Sequence, residues 1–187
     1  GRSLERVVTA FASCHGKAET FRRESVVSVL GPISDLAPSV SARLAESMRG
    51  GLNRDWKNRD VQRAAGNQRS STEIEALIEE GYQLALEMID SATQKEPASW
   101  RFAMTKAALA YDHMQFRRQR DQDAASYNVS RQELFRAFGE AAKQYQAAVT
   151  RGELREDPGV YLTWFSIALG SSDLSALKGD DLLTEGA

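Results

Sequence analysis

The sequence contains few residues whose types and spacing could support chemistry. Residues 11–15 (FASCH) match the haem-attachment pattern C-x-x-C-H, except that Phe11 stands where the first cysteine should be. A single thioether bond from Cys14 with His15 as axial ligand would be the corresponding site. No second motif accompanies it, and a buried cysteine beside a partly exposed histidine is the simpler interpretation. We therefore expect no cofactor.

Metal-dependent and nucleophilic catalysis have equally little support. His15 and His113 are the only two histidines, and neither stands in an E-x-x-H or H-x-x-x-H context. A nucleophile elbow of the G-x-S-x-G type and a phosphate-binding G-x-x-x-x-G-K loop are both missing. We expect no metal site and no enzymatic activity, although a helical bundle that holds a small ligand or cofactor between its helices remains an alternative.

Two groups of basic residues could meet an anionic partner. Arg117, Arg118 and Arg120 lie near the predicted end of a helix, where cations complement the helix dipole. An anion or acidic-peptide site is the alternative there. The second group spans residues 54–69 and includes Trp56, which suggests contact with nucleic acid. An isoelectric point near 5.8 speaks against that function, and we do not expect a nucleic-acid partner.

The bulk composition is typical of a soluble globular protein of one or two small domains. The chain has 187 residues, of which 42% are hydrophobic and 27% charged, and its single cysteine excludes an internal disulfide framework. No apolar run approaches the roughly 20 residues of a membrane span. We expect a fragment of a longer protein, because the chain opens without Met. The compartment is not fixed, and we favour the cytoplasm.

Charge is divided unevenly along the chain. Residues 1–70 carry twelve Lys and Arg against seven Asp and Glu, whereas residues 71–187 carry twelve against nineteen. The simplest interpretation is that each part has a solvated face and that the opposite charges of the two faces partly complement each other. The alternative is a surface that binds an oppositely charged partner.

Hydrophobic periodicity predicts an all-α fold. In the first part we predict helices over residues 3–14 and 18–30, a break at Gly31-Pro32, a short helical turn up to Ala37, and a longer helix that Ser39 caps. Gly50-Gly51 should end that helix. Residues 51–70 are polar and basic, which indicates either a linker or a short helix held in place by Trp56.

The second part contains longer amphipathic stretches. A helix should run from a cap at Ser70 or Ser71 to about Lys95, and another from Ala98 or Ser99 to about Arg120. Residues 121–128 form a polar turn in this prediction, and the S-x-x-E capping box at Ser130 starts a helix to about Thr150. A last helix should cover Val160 to about Leu169, followed by a loosely packed tail.

Small and apolar residues at helical spacing suggest a family resemblance. Ala85, Ile89 and Ala92, followed by Pro97, resemble the second helix of a tetratricopeptide repeat, in which small residues allow close helix crossing. The first helix of such a repeat is resembled by the pattern Met104, Ala107, Ala108 and Tyr111. The second helix is resembled again by Ala141, Tyr145 and Ala148. However, Ala92 and Ala148 are 56 positions apart, against a usual period of about 34. The resemblance covers residues 74–170, and an unrelated helical bundle with similar faces is the alternative.

The resemblance implies a TPR-like, α-solenoid-like array of antiparallel helix pairs. We predict an N-terminal helical subdomain (1–50), a basic linker or short helix (51–70), the TPR-like array (71–170) and a tail (171–187). Such arrays bind an extended peptide or a partner helix on a concave face. The expected function is therefore a protein-interaction or scaffolding module, with Thr105, Leu109, Asp112 and His113 pointing into the peptide-binding groove.

Overall fold

The computed structural model describes residues 22–64, 71–121 and 124–157, and within these ranges the fold is all-α. Five α-helices occur there: α1 (Arg23–Leu30), α2 (Pro38–Ala64), α3 (Ser71–Lys95), α4 (Trp100–Asp121) and α5 (Ala124–Thr150). A 3-10 turn (Ile33–Asp35) separates α1 from α2. The predicted helices at 3–14 and 160–169, the haem-like segment with Cys14 and His15, and the tail lie outside the described residues.

Helix α2 corrects the predicted boundary at residue 50. The helix is continuous from Pro38 to Ala64, so Gly50-Gly51 does not end it, and residues 51–64 of the predicted linker or short helix are a continuation of α2. Both glycines lack the positive φ of a helix stop, which the described glycines show only at Gly31 and Gly152. The tertiary contacts explain why the helix continues: Leu52 is fully buried and Trp56 is 7% exposed, so packing outweighs the weak helix propensity of glycine. The helix starts at Pro38, whose fixed φ suits a first position, rather than after Ser39.

This correction leads to a first prediction, the effect of Gly50→Ala. Gly50 is exposed inside α2, and a Cβ at this position would meet no atom within 4 Å. We expect the substitution to raise the free energy of unfolding by about 0.5–1 kcal/mol, because alanine restricts the unfolded chain and favours the helix. Urea denaturation measures this. A loss of stability would instead indicate that residue 50 is a helix stop.

Successive long helices run antiparallel, as their cross-contacts demonstrate. Lys95 at the end of α3 reaches the carbonyl of Leu36 just before α2, while Tyr82 in the middle of α3 contacts Asn53. In the second pair, Trp100 at the start of α4 packs on Tyr145 near the end of α5. Gly81 of α3 packs directly against Leu52 of α2, since a Cβ at this position would lie 2.5 Å from a methyl group of Leu52 and would require that side chain to shift.

Two apolar clusters stabilise this arrangement. The larger one joins the region from α1 to α3 with Leu109 and Phe116 of α4. The smaller one lies between α4 and α5, and it is rich in alanine: Ala103, Ala107, Ala137, Ala141 and Tyr145. Helix α4 therefore contacts α2 and α3 on one side and α5 on the other.

The end of α5 agrees with the prediction, but its start does not. We predicted a start at the Ser130 capping box, whereas α5 already begins at Ala124. Ser130 thus lies inside the helix. Alanine is the strongest helix former, and the two alanines at positions 124 and 125 favour the earlier start. Among the described helices, none combines the length and apolar character needed to cross a membrane.

Candidate functional site

The four residues predicted to face a groove occupy different environments. Leu109 is fully buried in the larger cluster, and the Thr105 hydroxyl donates a hydrogen bond to the carbonyl of Arg101 one turn earlier. Asp112 is bound to α2, and His113 is 5% exposed and contacts α3. The placement of Leu109 corrects the expected register, because α2 packs against the face of α4 that we expected to be open.

Asp112 belongs to a hydrogen-bonded network that joins α2, α3 and α4. Its carboxylate accepts hydrogen bonds from Arg49 and from the Asn53 side-chain amide, the latter at 2.6 Å. The Tyr82 hydroxyl then donates to the amide oxygen of Asn53 at 2.7 Å. Burial, with a smaller contribution from the charge of Asp112, raises the pKa of Tyr82 above its usual value. Tyr82 therefore remains protonated and acts as a hydrogen-bond donor.

A second network centres on Glu79 of α3. Its carboxylate accepts hydrogen bonds from His113 at 3.0 Å, from Arg117 at 2.6 Å and from Arg120 at 2.8 Å. Burial alone would raise the pKa of Glu79, but hydrogen bonds from His113 and Arg117 outweigh it and lower the pKa well below its usual value. Arg120 also pairs with Asp121. The acidic group that Arg117 and Arg120 share is thus the chain's own Glu79.

Aromatic stacking connects the two networks. The Tyr82 and His113 rings are nearly parallel, with centroids 5.1 Å apart, and Phe116 packs against both. Trp56 meets Phe116 edge to face at 4.9 Å and donates its indole N–H to Gln119 at 2.7 Å. Because Trp56 is buried in this way, it is not available to stack on a nucleobase, which removes the aromatic element of the nucleic-acid alternative.

The lowered pKa of Glu79 leads to a prediction on pH dependence. A carboxylate with a lower pKa in the folded than in the unfolded state adds stability above the unfolded pKa, here 4.5. That stability is lost as the pH falls toward the folded pKa. We therefore expect the difference in unfolding free energy between wild type and Glu79→Gln to shrink as the pH falls below 4.5 and to be smaller at pH 3 than at pH 5. Urea denaturation at several pH values measures it, and a difference that persists unchanged at pH 3 would contradict this role.

Next to the networks, an open groove of about 620 Å³ runs along α3. The 3-10 turn borders it with Ile33 and Ser34, and α4 borders it with His113 and Arg117. Its floor is formed by α3 residues: Gln83, Leu86, Glu87, Asp90, Ser91 and Gln94. His113 is therefore the only one of the four predicted groove residues that lines this groove.

Four polar residues form one stripe along the groove floor. Gln83, Glu87, Asp90 and Gln94 follow one another at steps of four, three and four, which keeps them on one face of α3. Sequence inspection alone could have found this pattern, although it gives no indication of what lies on either side.

The two carboxylates of the stripe are paired with cations from neighbouring elements. Arg23 of α1 binds Glu87, and Lys106 of α4 binds Asp90 at 2.6 Å. All four side chains are between 40% and 50% exposed. Ion pairs with this exposure contribute about 0–1 kcal/mol each, so an incoming partner can replace them at low cost.

In the described part of the chain, no group of three or more His, Cys, Asp or Glu side chains is arranged to hold a metal ion. The exposed basic residues of this segment whose side chains are described are Arg54 and Lys57 on α2. Neither lies in the groove.

Comparison with known protein families, with curated proteins and with solved structures found no match for this chain.

Proposed function

We propose that this chain is a protein-interaction module whose α3 groove binds an extended peptide segment that carries basic residues. In this proposal the α2–α3 and α4–α5 pairs are successive units of a TPR-like helical array. The observation that carries the proposal is the stripe of Gln83, Glu87, Asp90 and Gln94 on the floor of an open groove.

The chemistry of the stripe suits a peptide backbone. A glutamine amide has both a donor and an acceptor, so it can pair with a peptide group in either direction. Gln83 and Gln94 stand at the two ends of the stripe, eleven positions apart on α3, which corresponds to about 16 Å along the helix. About five residues of an extended chain cover that length. The amides can therefore hold the two ends of one short segment.

The carboxylates between the two amides determine the preferred side chains. Glu87 and Asp90 already bind Arg23 and Lys106, which supports the recognition of a guanidinium or an ammonium group by these two carboxylates. A peptide with lysine or arginine can replace these cations. Leu86, partly buried on the floor and directly before Glu87, offers a small apolar contact beside the charged positions.

Peptide selection tests this proposal. A library of random twelve-residue peptides displayed on phage is selected in parallel on the wild type and on the Glu87→Gln/Asp90→Asn double variant. We expect peptides enriched in lysine and arginine on the wild type, with affinity for the double variant lowered about tenfold, because two charged contacts are lost.

The matched control is Glu140→Gln, which removes an exposed carboxylate on α5, away from the groove. Peptides selected on the wild type should bind this variant with unchanged affinity. Selection without basic enrichment, or equal binding to the double variant, would overturn the proposal.

A further inference from the structure

The chain that leaves α5 turns back onto the α4–α5 pair. Gly152 adopts a φ of +73°, its N–H donates to the carbonyl of Val149 at 2.9 Å, and the N–H of Glu153 donates to Ala148 at 3.1 Å. These two bonds are the Schellman pattern that ends a helix and reverses the chain. Leu154 then packs against the smaller apolar cluster.

A side-chain hydrogen bond fixes the end of this return. The backbone N–H of Asp157 donates to the hydroxyl of Tyr145 at 2.8 Å. Tyr145 is 1% exposed, and its ring meets Trp100 edge to face with centroids 5.4 Å apart. Residue 157 therefore lies where the start of α4 meets the end of α5, and the next residues of the chain begin at that point.

An incompletely covered apolar face begins at the same point. The buried centre of the smaller cluster consists mainly of alanines, whose short side chains lie between α4 and α5. Larger apolar side chains around it are only partly buried: Trp100, Met104, Phe138 and Val149. Along α5 this face extends from Ala137 to Val149, about 18 Å at the rise of an α-helix.

We propose that residues 158–170 of this same chain dock on the α4–α5 face. The position, the length and the composition of this segment all suit that face. The segment starts one residue after the Asp157–Tyr145 hydrogen bond. Its sequence PGVYLTWFSIALG predicts a helix from Val160 to Leu169, about 15 Å long, which matches the face.

Periodicity gives this segment an apolar stripe of its own. Val160, Trp164 and Ile167 are spaced by four and three residues, and Trp164 is large enough to contact the partly buried side chains around the alanine-rich centre. Because the segment is tethered beside the face, its effective concentration there is high, which favours docking within one chain over association of two copies. This inference is independent of the α3 groove.

Amide hydrogen exchange on the full chain tests the docking. The variant Trp164→Ala/Ile167→Ala is compared with the control Leu174→Ala/Leu177→Ala, which removes two apolar residues from the tail beyond the segment. We expect amides of residues 137–149 to exchange about tenfold faster in the first variant than in the wild type, because a covering element is lost. The control should match the wild type.

The amides of α3 serve as an internal reference, since general unfolding would accelerate their hydrogen exchange as well. A selective increase in α5 supports docking, whereas unchanged α5 exchange, or equal acceleration in α3, overturns it.

A photo-cross-link identifies what covers the face. With p-benzoylphenylalanine in place of Ala142 in the full chain, irradiation should give a monomeric product linked to a peptide within residues 158–170. A link between two chains, which would indicate a second copy on this face, or a link to a different segment, would contradict the proposal.

Discussion

Replacing Glu79 with glutamine is expected to lower the free energy of unfolding by about 2–3 kcal/mol. The Glu79 side chain is 16% exposed and accepts hydrogen bonds from His113, Arg117 and Arg120. Glutamine keeps the size of the side chain but removes the charge, which leaves two guanidinium groups together without their shared partner. Because both arginines are about one quarter exposed, water offsets part of the loss, and we expect less than the full effect of breaking a buried pair.

The control for this substitution is the neighbouring residue. Glu80→Gln changes the same chemical group on the exposed side of α3, and its effect should stay within about 0.5 kcal/mol. Both variants are measured by urea denaturation at pH 7. Equal effects of the two substitutions would show that the network around Glu79 does not stabilise the contact between α3 and α4.

Replacing Phe116 with alanine is expected to cost about 3–5 kcal/mol, the largest single effect that we predict. The ring is 1% exposed and lies among Trp56, Tyr82 and His113, which come from α2, α3 and α4. The guanidinium group of Arg120 also lies 5.1 Å from its centroid. Alanine would leave a cavity in a region where α2, α3 and α4 pack together.

Phe102 provides the comparison within the same helix. It is only partly buried at the opposite end of α4, so Phe102→Ala should cost clearly less than Phe116→Ala. Thermal and urea unfolding measure both variants. If Phe116→Ala cost less than about 1 kcal/mol, the proposed junction of α2, α3 and α4 would be wrong.

Helix boundaries were predictable where local signals and packing agree. For α3, the serine cap, the apolar period and the later proline all favour the same span, and the observed helix, Ser71–Lys95, matches the prediction. For α2, two adjacent glycines suggested an end that packing overrides. Trp56 is the residue expected to hold this segment in place, and it is buried, but its burial against other helices depends on long-range contacts that a local pattern does not contain.

The site was harder to predict than the helices. His113 lines the α3 groove whereas Thr105, Leu109 and Asp112 do not, and the pairing of Glu79 with Arg117 joins residues 38 positions apart and leaves no local signal. Leu109 was assigned to an open face, because the packing of α2 on α4 was not foreseen. The stripe from Gln83 to Gln94, in contrast, follows from helical spacing alone.

The most direct test of the peptide-binding function is a pair of charge changes with opposite expected effects on the binding of one selected basic peptide. Glu87→Gln/Asp90→Asn removes the carboxylates of the groove, whereas Arg23→Gln/Lys106→Gln removes the cations that compete for them. Fluorescence anisotropy with the labelled peptide should give a higher Kd for the first variant and a lower Kd for the second. If both variants bound the peptide like the wild type, or if both weakened binding equally, the α3 groove would not be the binding site.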